Sequence, residues 1–409
     1  MSIPEVRSST GIYTFTWAQE QVAIKVDRFS ENSHHELTAE VAIKTTVPGM
    51  PNHLHQARLN LTSTIARRTL VNYLTDRMNL DWQAMVEQMA VLVLQKYREG
   101  TPVLKLIDYS PKTGQTEYCL KPLLQQGQAT MLYGDGETGK SYLAAYWSCL
   151  IALGHQEHNL VPLEGNVLYL DYETDADTTW ERIDRITAGL GERFPENIHY
   201  RYCHQTVAAD FEELRRQVYE KEISFVVVDS AAPAVEEPEA AHAVSAYFAA
   251  LRGLRVTSLT VAHRVKNFRG APDAPFGSVM WRNLARATFR TISTHEPGAS
   301  MFTIGLKHTK NNNGVRLRDM GWRLEFDADS ATFTPTDLLE VPELAESLTL
   351  SDRIAGALRH KALTISDLAT SLDASEAVIR TTLNRNLQRF VQFDHDHAKY
   401  WGLKANVTA

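Results

Sequence analysis

Cysteine is scarce in this sequence, and long apolar runs are absent from it. The three cysteines, Cys119, Cys149 and Cys203, stand far apart among 409 residues, which excludes a disulfide framework and the close cysteine spacing of a zinc site. No run of about 18 apolar residues occurs, so we expect no membrane-spanning helix. The first residues lack the basic and apolar segments of a secretory signal. We therefore expect a cytoplasmic protein, in which thiols stay reduced.

Positive charge is also in short supply. The chain has 42 Lys and Arg residues against 49 Asp and Glu residues, a formal net charge of −7. This balance excludes a protein that coats nucleic acid through bulk charge, although local basic loops or a pore can still bind a strand. A hydrophobic content of 44% predicts a well-packed globular protein, and the length predicts two or three domains at about 100–200 residues each.

The most informative motif is GDGETGKS, which satisfies the G-x-x-x-x-G-K-[ST] pattern of a phosphate-binding P-loop. Ala129–Tyr133 before it has the pattern of a buried strand, and Ser141–Leu153 after it that of an apolar helix. Glycines let backbone N–H groups surround phosphate oxygens, and the helix N-terminus adds positive charge. We predict that ATP is bound by Gly134, Asp135, Gly136, Glu137, Thr138, Gly139, Lys140, Ser141 and Tyr142. Lys140 would reach the β- and γ-phosphates, and the Ser141 hydroxyl would bind Mg²⁺.

Two further apolar strands end in carboxylates. VVVDS places Asp229 where a P-loop enzyme holds its Mg²⁺ ion. VLYLDYE carries Asp171 and Glu173 at the carboxyl end of its strand, the edge at which parallel sheets bind ligands. We predict that Glu173 orients or deprotonates the attacking water, with Asp171 as its nearest rival. The alternative for both carboxylates is capping of the next helix.

A third strand, Thr260–His263, ends in a histidine at the same edge. His263 either senses the γ-phosphate or has a structural role. The following segment, Arg264–Pro272, is basic and contains an aromatic residue, so it either follows a nucleic-acid backbone or is a solvated surface loop. By contrast, the loop Pro233–Glu239 is acidic and would repel phosphate.

Basic residues near the end of this region could complete the site of a neighbouring subunit. Arg282, Arg286 and Arg290 have the spacing of one stripe on a helix, if the helix extends that far. Lys307 and Lys310 lie at the end of a predicted edge strand. Either group could act as a cationic finger on a transferring phosphoryl group, and the alternative is an exposed basic face.

The chain divides into three predicted regions, residues 1–120, 121–340 and 345–409. The first is an α+β accessory domain with three strands, two amphipathic helices and a group of histidines, His34, His35, His53 and His55, which we interpret as solvated loop residues. The predicted bounds are Ile12–Trp17, Gln21–Val26, Glu36–Thr45, Leu59–Met78 and Trp82–Tyr97. The second region alternates strands and helices, as an α/β fold does, and its last strands form hairpins. We expect a parallel sheet with an antiparallel edge.

The third region has the pattern of a winged helix-turn-helix. Ser351–His360, Ile365–Leu372 and Glu376–Phe390 predict helices, and Val391–His395 with Lys399–Leu403 predicts a hairpin. The predicted recognition helix carries Arg380, Arg385 and Arg389.

With these residues assembled, the chain resembles RecA-like hexameric ATPases, and within them the plasmid RepA-type replicative helicases of the AAA family of mobile elements. GDGETGKS, VLYLDYE, VVVDS and LTVAHRVK carry the resemblance, and the segment Gly277–Arg286 and KHTKNNNG are similar to later motifs of the family. The resemblance covers residues 120–335. It implies a RecA-like core in a ring, with ATP and Mg²⁺ between neighbouring subunits.

The same resemblance implies roles for individual residues. Glu173 would direct hydrolysis together with Lys140, Ser141 and Asp229, and His263 would couple the γ-phosphate to a pore loop. Lys310 would reach across the subunit interface, with either Lys307 or an arginine of the 282–290 stripe.

We expect an ATP hydrolase that binds or moves on single-stranded DNA as a homo-oligomer, most simply a hexameric replicative helicase. Two alternatives stay open. One is a nucleotide-switched loader or phage-defence ATPase that acts on a protein partner through residues 1–120. The other is a DNA-binding regulator that uses its winged helix.

Overall fold

The computed structural model describes residues 2–9, 11–100, 103, 105–108, 117–264, 274–295, 298–341, 344, 348–359, 361–395 and 398–404. They divide into two compact units. The first comprises Met1–Glu117, Val207–Ile223 and Ala250–Arg255, and the second Tyr118–Thr206, Ser224–Ala249 and Val256–Ala409. Within the described ranges, no helix has the length and apolar content needed to cross a membrane.

The first unit begins with a five-stranded antiparallel sheet in sequential order, followed by two helices. The bounds are β1 Glu5–Ser9, β2 Ile12–Trp17, β3 Val22–Glu31, β4 Leu37–Thr45, β5 His53–Asn60, α1 Thr64–Thr75 and α2 Trp82–Glu99. The side chains of Ser63 and Asp81 cap the two helices by accepting hydrogen bonds from backbone N–H groups. Alternate strand residues and one face of each helix form the core, in which Trp17 and Trp82 are buried.

The predicted elements of the first region are present, but two of its strands, β1 and β5, were not predicted. β1 and β5 are largely exposed edge strands, so their apolar alternation is weak. The interpretation of all four histidines as loop residues is wrong for His53 and His55, which lie on β5. His55 packs against the Tyr73 ring, with ring centroids 5.7 Å apart. Partial burial lowers the pKa of His55.

The second unit is built on a nine-stranded sheet with the order β11-β10-β12-β13-β8-β14-β15-β16-β17. Its strands are β8 Ala129–Gly134, β10 Asn166–Asp171, β11 Ile198–Tyr202, β12 Ile223–Asp229, β13 Thr257–His263, β14 Ala287–His295, β15 Met301–Asn311, β16 Met320–Phe326 and β17 Ala331–Thr336. A small separate sheet contains β6 Tyr118–Lys121, β7 Leu124–Gln125 and β9 Val161–Pro162. The helices that alternate with these strands in the chain are α3 Lys140–Leu153, α4 Ala176–Leu190, α5 Phe211–Glu220, α6 Ala241–Leu254 and α7 Met280–Leu284.

The predicted change from parallel to antiparallel pairing is confirmed. β10 pairs with β11 in parallel, as do β12 with β13, β13 with β8 and β8 with β14, whereas β14 to β17 follow one another antiparallel. Parallel strands must be covered on both faces, which explains why β8 is buried along its whole length. Helix α3 is apolar on nearly all sides and packs into the same core.

Helix α5 belongs to the first unit although it lies between β11 and β12 in the chain. Its charged side chains pair with residues of β3 and β4. Arg28 joins Glu213 and Glu40, at 2.6 and 2.9 Å, and Arg216 lies 3.2 Å from the buried carboxylate of Asp27. A buried carboxylate needs such compensation, so this ion-pair network fixes α5 to the sheet.

The last described part of the second unit contains three helices and a two-stranded antiparallel hairpin. The bounds are α8 Leu350–Ala357, α9 Ile365–Leu372, α10 Glu376–Arg385, β18 Phe390–His395 and β19 Ala398–Leu403. Short 3₁₀ turns also occur at Leu106–Asp108 and Leu338–Glu340. One apolar cluster unites the three helices and the hairpin through Ile354, Leu368, Ile379 and Trp401.

Candidate functional site

The P-loop connects the carboxyl end of β8 to the first residue of α3, as the sequence predicts. Gly139 has a φ of +75°, and a Cβ at this position would lie 2.4 Å from Cδ1 of the buried Ile304. A Cβ on Gly134 would lie 2.2 Å from Oγ1 of Thr291. Strands β14 and β15 therefore pack so closely on the loop that both positions require glycine.

Lys140 is buried at the start of α3, and its ammonium group points back to the loop. Its Nζ donates to the carbonyl oxygen of Asp135 at 2.5 Å and lies 3.5 Å from Oγ1 of Thr138. Burial lowers the pKa of Lys140, while the negative charges of Asp229, Glu173 and Asp135 partly restore it. A buried cation held among carboxylates suits the recognition of phosphate.

Asp229 ends β12 and is 5% exposed. Its Oδ2 accepts a 2.7 Å hydrogen bond from the Tyr169 hydroxyl, whereas Oδ1 is buried without a hydrogen-bond partner among the described residues. Burial raises the pKa of Asp229, and the hydroxyls of Tyr169 and Ser141 partly offset this rise. A buried carboxylate oxygen without a partner, beside Ser141, fits a Mg²⁺ ion held by hard oxygen ligands.

Asp171 and Glu173 have different environments. Asp171 is buried, and its two oxygens accept five hydrogen bonds: from the backbone N–H of Glu173 and Thr174 and from the hydroxyls of Thr174, Thr179 and Tyr200. Burial by itself would raise the pKa of Asp171, but these hydrogen bonds lower the pKa overall. The Glu173 side chain is half exposed. Asp171 therefore stabilises the turn through its hydrogen bonds. Glu173 is the carboxylate that is accessible to a water molecule.

Glu173 and His263 approach each other at the carboxyl ends of β10 and β13. Glu173 Oε1 lies 3.9 Å from His263 Nε2, and both side chains are about half exposed. They face one cavity of about 200 Å³ beside the P-loop. The cavity is lined by Glu137, Thr138, Gly139, Lys140, Ser141, Tyr142, Glu173, Asp229, Val261 and His263. The structure thus brings the predicted phosphate, metal and base residues together.

The segment after His263 is described only at its beginning. Arg264 Nη1 lies 3.2 Å from Asp135 Oδ2, which joins the end of β13 to the P-loop. Residues 265–273, most of the predicted basic loop, lie outside the described residues. The acidic segment 233–239 lies in the turns that follow β12.

The basic residues after this loop do not form the predicted helical stripe. Helix α7 ends at Leu284 because Ala285 adopts an extended backbone, which places Arg290 on β14. Arg282 and Arg286 are exposed.

The two lysines of β15 do not reach the P-loop cavity of their own chain. Lys310 Nζ donates to the carbonyl oxygens of Arg282, Asn283 and Ala285, at 2.6, 2.9 and 2.6 Å, and so caps the end of α7. Lys307 pairs with Arg290 across the two strands and lies near Asp319, whose carboxyl pKa it lowers against the larger, opposite effect of burial.

In the C-terminal helices, Arg380 and Arg385 are exposed on α10. Arg389 lies beyond the end of α10, and its Nη1 is 2.7 Å from Asp352 Oδ1. Two of the three predicted contact arginines are therefore accessible on the helix, and the third is engaged within the chain.

Sequence analysis missed two residues that shape the site. The alternation of β10 places Tyr169 on the same side of the strand as Asp171, so this tyrosine could have been found. Thr291 could not, because its contact with Thr138, 2.7 Å between hydroxyl oxygens, depends on the pairing of β14 with β8.

Comparison with protein-family models supports an ATPase domain in this part of the chain. Residues 97–267 match the AAA domain family AAA_25. Among solved structures, a KaiC-like protein from the hyperthermophilic archaeon Pyrococcus horikoshii OT3 is similar, with 15% sequence identity, a TM-score of 0.40 and coverage of 53% of this chain and 94% of that structure. No curated protein matches the chain. The AAA match, the P-loop and the parallel-rich sheet together show a P-loop ATPase domain.

Proposed function

We propose that this chain is a ring-forming, RecA-like ATPase that couples ATP hydrolysis to binding or movement on single-stranded DNA, as a replicative-type helicase. The observation that carries the proposal is the approach of Glu173 to His263 at the phosphate cavity. The chain leaves His263 directly into the basic segment Arg264–Pro272. The carboxylate that would direct hydrolysis thus lies beside the residue that immediately precedes the segment proposed to hold a DNA strand.

The site supports the chemistry of phosphoryl transfer. Lys140 and the backbone N–H groups of the P-loop would bind the β- and γ-phosphates, and Ser141 with Asp229 would hold Mg²⁺. Mg²⁺ would neutralise charge on the transferring phosphoryl group. Glu173 would orient the attacking water and accept its proton as the new O–P bond forms and the bond to ADP breaks.

Cations from a neighbouring subunit would complete this site. Arg286 precedes Ala287, which pairs with Thr130 near the start of β8, whereas the P-loop follows Gly134 at its end. This separation is about 13 Å along the strand, so Arg286 lies at the opposite end of β8 from its own P-loop. The exposure of Arg282 and Arg286 at this edge supports a role in trans within a homo-oligomer, for which we propose a hexamer. Lys310 would support this edge by capping α7.

We further propose that the three C-terminal helices and the hairpin act as a winged helix-turn-helix with a supporting role in DNA binding. Arg380 and Arg385 are the exposed cations on α10 that would contact phosphates. The exposed aromatic Phe393 on β18 stacks with Tyr400 on β19, with ring centroids 6.3 Å apart, and offers a surface for an unpaired base.

The experiment is a pair of assays on the full-length protein. ATP turnover is measured with and without single-stranded DNA, and strand displacement is measured on duplexes with 5′ or 3′ tails. We expect DNA to stimulate turnover and one tailed duplex to be unwound, with both activities lost in Lys140→Ala. Turnover that ignores DNA, together with no strand displacement, would show that the helicase proposal is wrong.

A second candidate is a nucleotide-switched loader or defence ATPase that acts on a protein partner. It is favoured by the ion pairs that fix α5 to the N-terminal sheet, because α5 leads directly into β12, the strand that ends at Asp229. A partner retained by the protein only with a non-hydrolysable ATP analogue, and lost with ADP, would support this candidate. Equal retention in both states would exclude it.

A further inference from the structure

A cavity of about 390 Å³ lies where the segment before β16 meets the C-terminal helices and hairpin. Four of the side chains that line it are cations, and none of its described lining residues is a carboxylate. No lining residue is shared with the cavity beside the P-loop. The cavity is therefore a separate basic site within the second unit. Its described lining residues are Arg318, Ala355, Arg359, Gln388, Arg389, Leu403 and Lys404.

Two of the cations, Arg359 and Arg389, are held by carboxylates that lie outside the cavity. Arg359 pairs with Asp337, and Arg389 Nη1 lies 2.7 Å from Asp352 Oδ1. Both aspartates line a neighbouring cavity of about 470 Å³, and neither lines this one. Each arginine uses only Nη1 in its hydrogen bonds to described side chains. The N–H groups on Nε and Nη2 are therefore left as donors for an anion.

The other two cations, Arg318 and Lys404, are not compensated in this way. Both are exposed, and neither side chain forms an ion pair or a hydrogen bond with the described part of the chain. The Lys404 backbone N–H donates to the carbonyl oxygen of Arg389 at 2.9 Å, which keeps the residue after β19 beside a paired arginine. With Asp337 and Asp352 counted against their partners, two positive charges remain at the cavity.

We propose that this cavity is a second anion site, which binds a small ligand that carries at least two phosphate charges. Arginine recognises phosphate through its planar set of N–H donors, and the volume falls within the range of about 300–1,000 Å³ that is typical of small-molecule sites. A ligand bound here would join the segment before β16 to the C-terminal helices. The site does not depend on the proposed helicase function, because no residue of the P-loop cavity takes part in it.

The test uses the full-length protein with Lys140→Ala, a background that removes the cation of the P-loop. Calorimetry measures the binding of inorganic pyrophosphate to this background and to two double substitutions made in it. Arg318→Gln with Lys404→Gln, the cavity variant, removes the two unpaired cations. Arg316→Gln with Lys399→Gln is the control, which changes the net charge equally. Both control residues are exposed and lie close by in the same segments, and neither lines either cavity.

We expect the Lys140→Ala background to bind a single pyrophosphate per chain. The cavity variant should bind it at least about tenfold more weakly, because hydrogen bonds between charged groups are lost. The control should bind as the background does. Absence of pyrophosphate binding in the background, or an equal loss in both double substitutions, would overturn the proposal. A cavity variant that keeps its pyrophosphate affinity and loses affinity for a short single-stranded oligonucleotide would overturn it as well, since the ligand would then be DNA.

Circular dichroism checks that the cavity variant is folded. If it is not, the single substitutions Arg318→Gln and Lys404→Gln decide, each in the Lys140→Ala background. A loss of pyrophosphate affinity of at least about threefold in either one, with the control unchanged, supports the proposal. Unchanged affinity in both overturns it.

Discussion

Glu173 follows the end of β10 and His263 ends β13, yet their side chains approach within 3.9 Å beside the P-loop. Substitution of Glu173 by Gln removes the proton acceptor and keeps the shape of the side chain. We expect the turnover number to fall by a factor of about 10²–10⁴, the usual contribution of a general base, with ATP affinity nearly unchanged. Steady-state hydrolysis and nucleotide binding measure the two effects separately. A variant that hydrolyses ATP at the wild-type rate would contradict the role of Glu173.

The substitution His263→Asn tests whether His263 couples the bound nucleotide to DNA. The proposed link between nucleotide and DNA predicts that this variant loses the stimulation by single-stranded DNA to a greater extent than it loses turnover in the absence of DNA. Turnover assays at saturating ATP, with and without DNA, give the ratio directly. An unchanged ratio would indicate a structural histidine.

Asp171 should behave as a structural carboxylate. Substitution by Asn leaves fewer acceptors for the N–H and hydroxyl donors of the turn, so we expect a loss of about 1–3 kcal/mol in the free energy of unfolding, the cost of leaving buried donors unpaired. Chemical denaturation measures this loss. Glu173→Gln is the matched control, because the half-exposed Glu173 should contribute little to stability. Equal stability of the two variants would contradict the assignment.

The P-loop offers two glycines with opposite expectations. Gly139→Ala places a Cβ at a φ of +75° and 2.4 Å from Ile304 Cδ1, whereas a Cβ on Gly136 would meet nothing within 4 Å. We expect Gly139→Ala to lose at least about 1–2 kcal/mol of stability from backbone strain alone. Gly136→Ala should change thermal stability little. Melting temperatures measure both effects. Equal melting temperatures for the two variants would contradict the structure.

Mixed subunits test the proposed action in trans of Arg286. Arg286→Ala and Lys140→Ala should each be nearly inactive alone. In an equal mixture, roughly a quarter of the interfaces would combine an intact P-loop with an intact neighbouring arginine, so turnover should reappear. Arg323→Ala, which removes an exposed arginine of β16, is the control and should be active alone. Wild-type activity of Arg286→Ala alone, or no recovery on mixing, would argue against the trans site.

His155 makes the stability of the second unit depend on pH. Burial tends to lower its pKa, but hydrogen-bond contacts with Glu192 and Glu157, at 2.9 and 3.0 Å, raise it overall. The protonated form is therefore favoured by folding. This stabilisation is complete below the ordinary histidine pKa of about 6.5 and is lost as the pH rises through the raised value.

Partial exposure limits this contribution to at most about 1 kcal/mol. We expect His155→Gln to lower the melting temperature by about 2–4 °C at pH 6 and by less at pH 9. Calorimetry at the two pH values measures both shifts. A larger loss at pH 9 would mean that the neutral imidazole is the stabilising form.

Local sequence patterns were sufficient for much of the fold. The glycine spacing, the apolar α3 and the carboxylates at strand ends predicted the P-loop and the parallel strands, because backbone chemistry and burial act over a few residues. The stripe of Arg282, Arg286 and Arg290 was wrong because its regular spacing extended past Ala285, where the backbone becomes extended. A helix end without a glycine or proline leaves little trace in the sequence.

The sequence by itself determined the P-loop motif and with it the prediction of phosphate binding, since Gly139, Lys140 and Ser141 would act through their own backbone and side chains. Only the tertiary structure distinguished the environments of Asp171 and Glu173, the first buried and hydrogen-bonded and the second half exposed. The difference depends on Thr179 and Tyr200, which reach Asp171 from another helix and strand and consume its oxygens. The tertiary structure also placed His263 beside Glu173, and Thr291 against the P-loop. These contacts follow from the order of strands in the sheet, and that order is fixed by packing between segments distant in the chain.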